Sequence, residues 1–112
     1  MDVNALKAAG FVETVYKGQS EVFLTKKMPV ADMPYAREHI VDNEYVFDTD
    51  TAIIEVVPDP LFPGCGVQLA MQDSDYVEDA VSVSSEEGVA LLRDAGVECE
   101  EGHQASRLSL AR

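Results

Sequence analysis

Two runs set the hydrophobic pattern of the chain. Thr51-Ala52-Ile53-Ile54-Glu55-Val56-Val57 and Gly66-Val67-Gln68-Leu69-Ala70-Met71 are short, rich in β-branched or apolar residues and bounded by turn residues, which is how strands entering a sheet read. Alternation along the first run puts Ala52, Ile54 and Val56 on one face and Ile53, Glu55 and Val57 on the other. If both faces are partly covered, each large aliphatic contributes roughly 1.5–3 kcal/mol of burial.

Upstream, residues 2–9 read as a short opening helix, with Asp2 able to cap it, Val3 and Leu6 one turn apart, and Gly10 in the stop position. Phe11–Lys17 and Glu21–Met28 read as two strands joined by a hairpin turn at Lys17-Gly18-Gln19-Ser20, with Val22 and Leu24 on one face. Pro29 ends the second strand because it cannot donate to the ladder. Asp32 followed by Pro34 then signals a helix over about 33–41, with Met33, Ala36, Ile40 and Val41 on one side and Arg37 and Glu38 on the other. Tyr45-Val46-Phe47 extends into a short strand before the turn Asp48-Thr49-Asp50.

Downstream, the connection Pro58–Gly66 contains three prolines and presents Leu61 and Phe62 on a stiff loop. After the acidic turn Gln72-Asp73-Ser74-Asp75, a strand is expected over Tyr76–Val83 with Val77, Val81 and Val83 sharing a face. Ser84-Ser85-Glu86-Glu87 reads as a capping box, Ser at the N-cap and Glu three residues on. It opens a helix over about 85–95 that buries Val89, Leu91 and Leu92 and stops at Ala95-Gly96-Val97. Residues 98–112 lose periodicity and read as a flexible tail, which leaves residues 1–97 as a single domain.

The element order lacks regular strand–helix–strand alternation. It predicts an α+β fold: a small single domain whose mainly antiparallel sheet of about four to five strands carries two to three helices packed on it. A chain of 112 residues has room for one core. Its 46% apolar and 26% charged residues separate it from disordered compositions.

Charge changes the picture more than composition does. Residues 1–41 carry five acidic and five basic side chains, whereas residues 42–101 carry sixteen acidic ones against Arg93 alone, and the net charge is −13. Such a field repels nucleic acid and anionic membrane and favours a basic partner, a cation or plain solubility. No basic region followed by an apolar one opens the chain, and no apolar run nears the ~20 residues of a membrane span, so a cytoplasmic protein with Cys65 and Cys99 as free thiols is expected.

Candidate chemistry is thin. Cys99, Glu100, Glu101 and His103 form a local cluster without the paired spacing of structural zinc sites. Asp48-Thr49-Asp50 and Asp73-Ser74-Asp75 lack the glycine and distal glutamate of a calcium loop, so solvated turns are expected. A Cys65–His39–acid arrangement has no nucleophile context, and the pair Asp50/Glu55 is commonplace among twenty-one acids. No phosphate-binding loop or dinucleotide fingerprint is present, and no cofactor and no metal are expected.

The reading that remains is a small acidic non-enzymatic module, accessory or inhibitory, that binds another protein with a basic surface and neither nucleic acid nor membrane directly. Leu61 and Phe62 would anchor the partner, and Asp73, Asp75, Glu78 and Asp79 would steer it. The alternatives are a nucleic-acid mimic that blocks a DNA- or RNA-binding enzyme, and a small-molecule or metal-dependent enzyme built around His39, Cys65 or the carboxylates. A homodimer paired through an edge strand, either Glu21–Met28 or Tyr76–Val83, is a further expectation.

Overall fold

The architecture follows from which strands neighbour which. The structure, a computed structural model, describes residues 3–39, 50–59, 61–72 and 77–98. Among these residues the elements run α1 (Val3–Ala8), β1 (Val12–Thr14), β2 (Phe23–Pro29), α2 (Pro34–His39), β3 (Thr51–Val57), β4 (Gly66–Met71), β5 (Val81–Ser82) and α3 (Glu86–Asp94), with a 3-10 turn over Val30–Asp32 before α2. The five strands form one antiparallel sheet in the order β1-β2-β3-β4-β5, so each is bonded to its neighbour in sequence. The chain is thus a single α+β domain, as the element order predicts.

One face of the sheet carries the core. Leu24, Val56, Ile54, Ala52, Val67, Leu69 and Met71 pack there against Leu6 of α1, Met33 and Ala36 beside and within α2, and Leu91, Leu92 and Ala95 of and just after α3. Ile54 and Leu69 stand opposite each other in the register and both are fully buried. The two runs that dominate the sequence are therefore the two most heavily buried strands. Ile40, Val41, Tyr45-Val46-Phe47 and the tail from Cys99 lie outside the described residues.

Two cross-element bonds tie the helices down. Lys26 Nζ donates to the Ala95 carbonyl at 2.6 Å, which satisfies an end-of-helix acceptor of α3 from the sheet. At the same corner Asp94 accepts from the backbone N–H groups of Tyr35 (3.0 Å) and Ala36 (2.8 Å) and so caps the first turn of α2 from another helix. Burial raises the Asp94 pKa, and the two backbone donors partly offset that.

Helix α3 stops as its sequence suggests. Gly96 (φ 91°) donates to Arg93 and Val97 donates to Leu92, the paired bonds of a glycine-terminated helix, with Val97 buried as the apolar seal. Ala9-Gly10-Phe11 repeats the pattern at the end of α1, with Phe11 donating to Leu6.

Four details differ from the sequence expectations. The first hairpin is wider than a four-residue turn: pairing ends at Thr14 opposite Phe23, and residues 15–22 form the connection, because Tyr16 leaves the ladder to reach β3. The strand expected over Tyr76–Val83 is broken. Val77 pairs with Ala70 but Val81 pairs with Val67, so one extra residue is inserted on the outer strand between them. That slip puts Val77, half exposed, on the face away from the helices, while Val81 and Val83 face the core.

The cap of α3 is Ser85 rather than Ser84. Its Oγ accepts from Gly88 N at 3.0 Å, whereas the Ser84 hydroxyl bonds to that of Ser82. Three residues after Ser85 stands Gly88, so no glutamate closes a box, and a Cβ there would collide with the Ser82 carbonyl oxygen. Close approach of α3 to the end of β5 sets the register of the cap. Finally, β2 lies between β1 and β3, so Glu21–Met28 is not an edge; β1 and β5 are the edges.

Candidate functional site

The face of the sheet away from the helices carries its polar chemistry. Thr25, Glu55 and Gln68 stand side by side across β2, β3 and β4 and form a polar row over the middle of the sheet. Thr25 and Glu55 are the buried polar side chains of the described core, at 7% and 8% exposure. A buried carboxylate must be supplied with partners. Glu55 Oε1 accepts from Gln68 Nε2 at 2.6 Å, and Oε2 accepts from the Tyr16 hydroxyl. Both partners are neutral. Burial pushes the Tyr16 phenol well above its ordinary range, and its bond to the Glu55 carboxylate pushes it further.

The row continues to the edge. The Thr14 and Thr25 hydroxyls share a hydrogen bond of 2.9 Å between β1 and β2. The Tyr16 ring meets that of Phe23 edge-on at 5.2 Å, which seats the hairpin connection over the same face.

Beside this network the face opens into a pocket of about 690 Å³. Val12, Ile53 and the Tyr16 ring give it apolar walls, and Thr14, Thr25, Lys27 and the Gln72 amide give it polar groups. Lys26 reaches it from the other side of β2, beside Gly10. Lys27 and Ile53 are direct cross-strand neighbours.

The residues singled out in the sequence are spread more widely. Leu61 is 45% exposed in the β3–β4 connection. That loop is held by Leu61 N–H donating to Pro58 O at 2.9 Å and Cys65 N–H donating to Phe62 O at 2.9 Å. Phe62 is half-buried and folds back on the sheet, where a Cβ on Gly66 would lie 2.8 Å from its Cγ. Glu78 is tethered to β4 through its N–H to Leu69 O at 2.9 Å, and Asp79 is exposed. Leu69 is three residues along β4 from Gly66, about 10 Å at strand rise, so the acids and the Leu61–Phe62 loop occupy different ends of that strand. Asp73 and Asp75 lie outside the described residues.

His39 is exposed on α2 with its ring 4.6 Å from that of Tyr35, and Cys65 is a free, half-buried thiol in the β3–β4 connection. Among the described residues no three His, Cys, Asp or Glu side chains gather closely enough to hold a metal ion. Among them, too, no helix is long and apolar enough to cross a membrane.

Sequence reasoning missed two groups. Tyr16 and Gln68 have no local signal, since their role comes from strand register. Val15 and Val22, at 59% and 45% exposure, join Leu61 at the end of the sheet where β1 and β3 finish and β2 and β4 begin. An apolar residue inside a turn is the signal that would have drawn attention to them. Compared with known protein families, with curated proteins and with solved structures, the chain matches none.

Proposed function

We propose that the protein is a small acidic non-catalytic module, an accessory or inhibitory factor of the cytoplasm, that binds a protein with a basic surface around an apolar socket. The observation that carries this reading is Leu61, an exposed leucine on a loop pinned by its own backbone bonds and by Phe62 folded onto Gly66. Apolar area held on a rigid support can be covered by a partner with little loss of conformational freedom. Val15 and Val22 are exposed at the same end of the sheet, and Glu21 and Asp59 lie within two residues of Val22 and Leu61 along the chain. The sixteen acidic side chains of residues 42–101 provide the long-range field that steers a basic partner in.

The test is affinity capture with the full chain at about 50 mM and about 500 mM salt, where screening shortens from roughly 14 Å to 4 Å. A partner held at low salt, released at high salt and lost with Leu61→Ser supports the reading. A partner indifferent to both salt and Leu61→Ser overturns it. Competition by duplex DNA for the captured partner would make the acidic flank an imitation of a phosphate backbone, and simultaneous binding of DNA would make it a protein-docking surface only.

A further inference from the structure

The open pocket on the outer sheet face has a chemistry that the acidic surface does not share. Among the described residues two lysines and no acidic side chain line it, in a chain with twenty-one acidic and eight basic residues. Lys26 is already engaged, its Nζ donating to the Ala95 carbonyl. Lys27 is exposed and makes no ion pair or hydrogen bond among the described residues. Its volume of about 690 Å³ falls inside the roughly 300–1,000 Å³ range of small-molecule sites.

The walls say what body the ligand has. Val12 is 59% exposed and Ile53 half-buried, so both present apolar area that a ligand can cover. Ile53 stands directly across from Lys27, and Val12 is paired with Thr25 two residues before it, so the cation sits at one margin of the apolar floor. The Thr14–Thr25 pair uses one hydroxyl hydrogen between them and keeps the other for an acceptor.

We infer that this pocket binds a small organic carboxylate with an apolar body. The carboxylate pairs with Lys27 Nζ, and the hydrocarbon or ring lies on Val12, Ile53 and Tyr16. Glu55, beside Thr25 in the register, has both carboxylate oxygens taken by Gln68 and Tyr16, and exposed acids farther off are screened beyond about 8–10 Å while the Lys27 pair forms at contact. The site shares no residue with the Leu61 patch.

The experiment is a titration of the uniformly ¹⁵N-labelled full chain with 3-phenylpropanoate and hexanoate, each against its alcohol, followed by amide chemical shifts. Saturable shifts confined to Val12, Thr14, Thr25, Lys27 and Ile53, with the alcohols about tenfold weaker as loss of a charged hydrogen bond implies, are expected. Lys27→Gln changes an exposed side chain and should weaken the two acids by about the same tenfold while leaving the alcohols and the remaining spectrum unchanged. No saturable shift with either acid, equal binding of acid and alcohol, or equal binding by Lys27→Gln would overturn the assignment. So would shifts at these residues that follow protein concentration, since a second copy would then be the occupant.

Discussion

The Tyr16 hydroxyl donates to Glu55 across thirty-nine positions of chain and binds the first hairpin connection to the central strand. Glu55 is 8% exposed, so removing this donor leaves part of a buried carboxylate unsatisfied. Tyr16→Phe should cost about 1–3 kcal/mol in urea denaturation. In a Glu55→Leu background the same change should cost clearly less, and equal costs in the two backgrounds would show that the bond contributes nothing.

Alkaline pH tests the same pair in another way. The folded-state phenol of Tyr16 is raised above the ordinary tyrosine value, chiefly by burial and then by Glu55, and that of Tyr35 is raised as well. Folded protein therefore keeps these protons after unfolded chains have lost them. Their contribution is complete below about pH 10 and is lost as pH rises from there through the raised folded values. The melting temperature should fall as pH rises above about 10, and fall less in Tyr16→Phe. Superimposable pH profiles for the two proteins would count against the Tyr16 shift.

Gly88 sets helix propensity against packing. Alanine in place of glycine favours a helix by roughly 0.8–1.0 kcal/mol. Here, however, the new Cβ would run into the Ser82 carbonyl oxygen and lie 3.0 Å from its carbon, and both belong to backbone. Gly88→Ala should be net destabilising by about 1–3 kcal/mol, the usual range for overpacking. A stabilised variant would mean that α3 stands further from β5 than the structure places it.

The two adjacent serines separate by their bonds. Ser85→Ala removes the acceptor for Gly88 N and should cost about 0.5–2 kcal/mol. Ser84→Ala loses an exposed hydroxyl pair with Ser82 and should stay within roughly 0.5 kcal/mol of wild type. If thermal or urea unfolding gave the opposite order, the cap would belong to Ser84.

What could be read from the residues divides by range. Strands β3 and β4 were legible because period-two patterns between Asp, Pro and Gly need no partner to be recognised, and β3 spans Thr51–Val57 as the pattern has it. The stop at Gly96 was legible for the same reason. The choice between Ser84 and Ser85 was not, since each satisfies the local rule and only the packing of Gly88 on Ser82 decides. Nor was the slip between Val77 and Val81, because valines an even number of positions apart look alike until a partner strand fixes their register. On the outer face, Glu55 was visible only as one carboxylate among many. Its partners Tyr16 and Gln68, and the meeting of Lys27 with Val12 and Ile53, depend on three strands lying in register, which a linear pattern does not contain.

The inserted residue on β5 bears on how the molecule behaves in concentrated solution. An incoming strand needs a straight row of unpaired backbone groups to template on, and growth into fibrils begins where one is offered. Among the described residues, β1 presents three residues and β5 only two before the ladder steps out of register toward Val77. Neither border can seed an extended cross-β stack, and the strong like charge of the chain opposes it further. The chain can therefore remain dispersed, because these borders give a neighbouring copy almost nothing to zip onto.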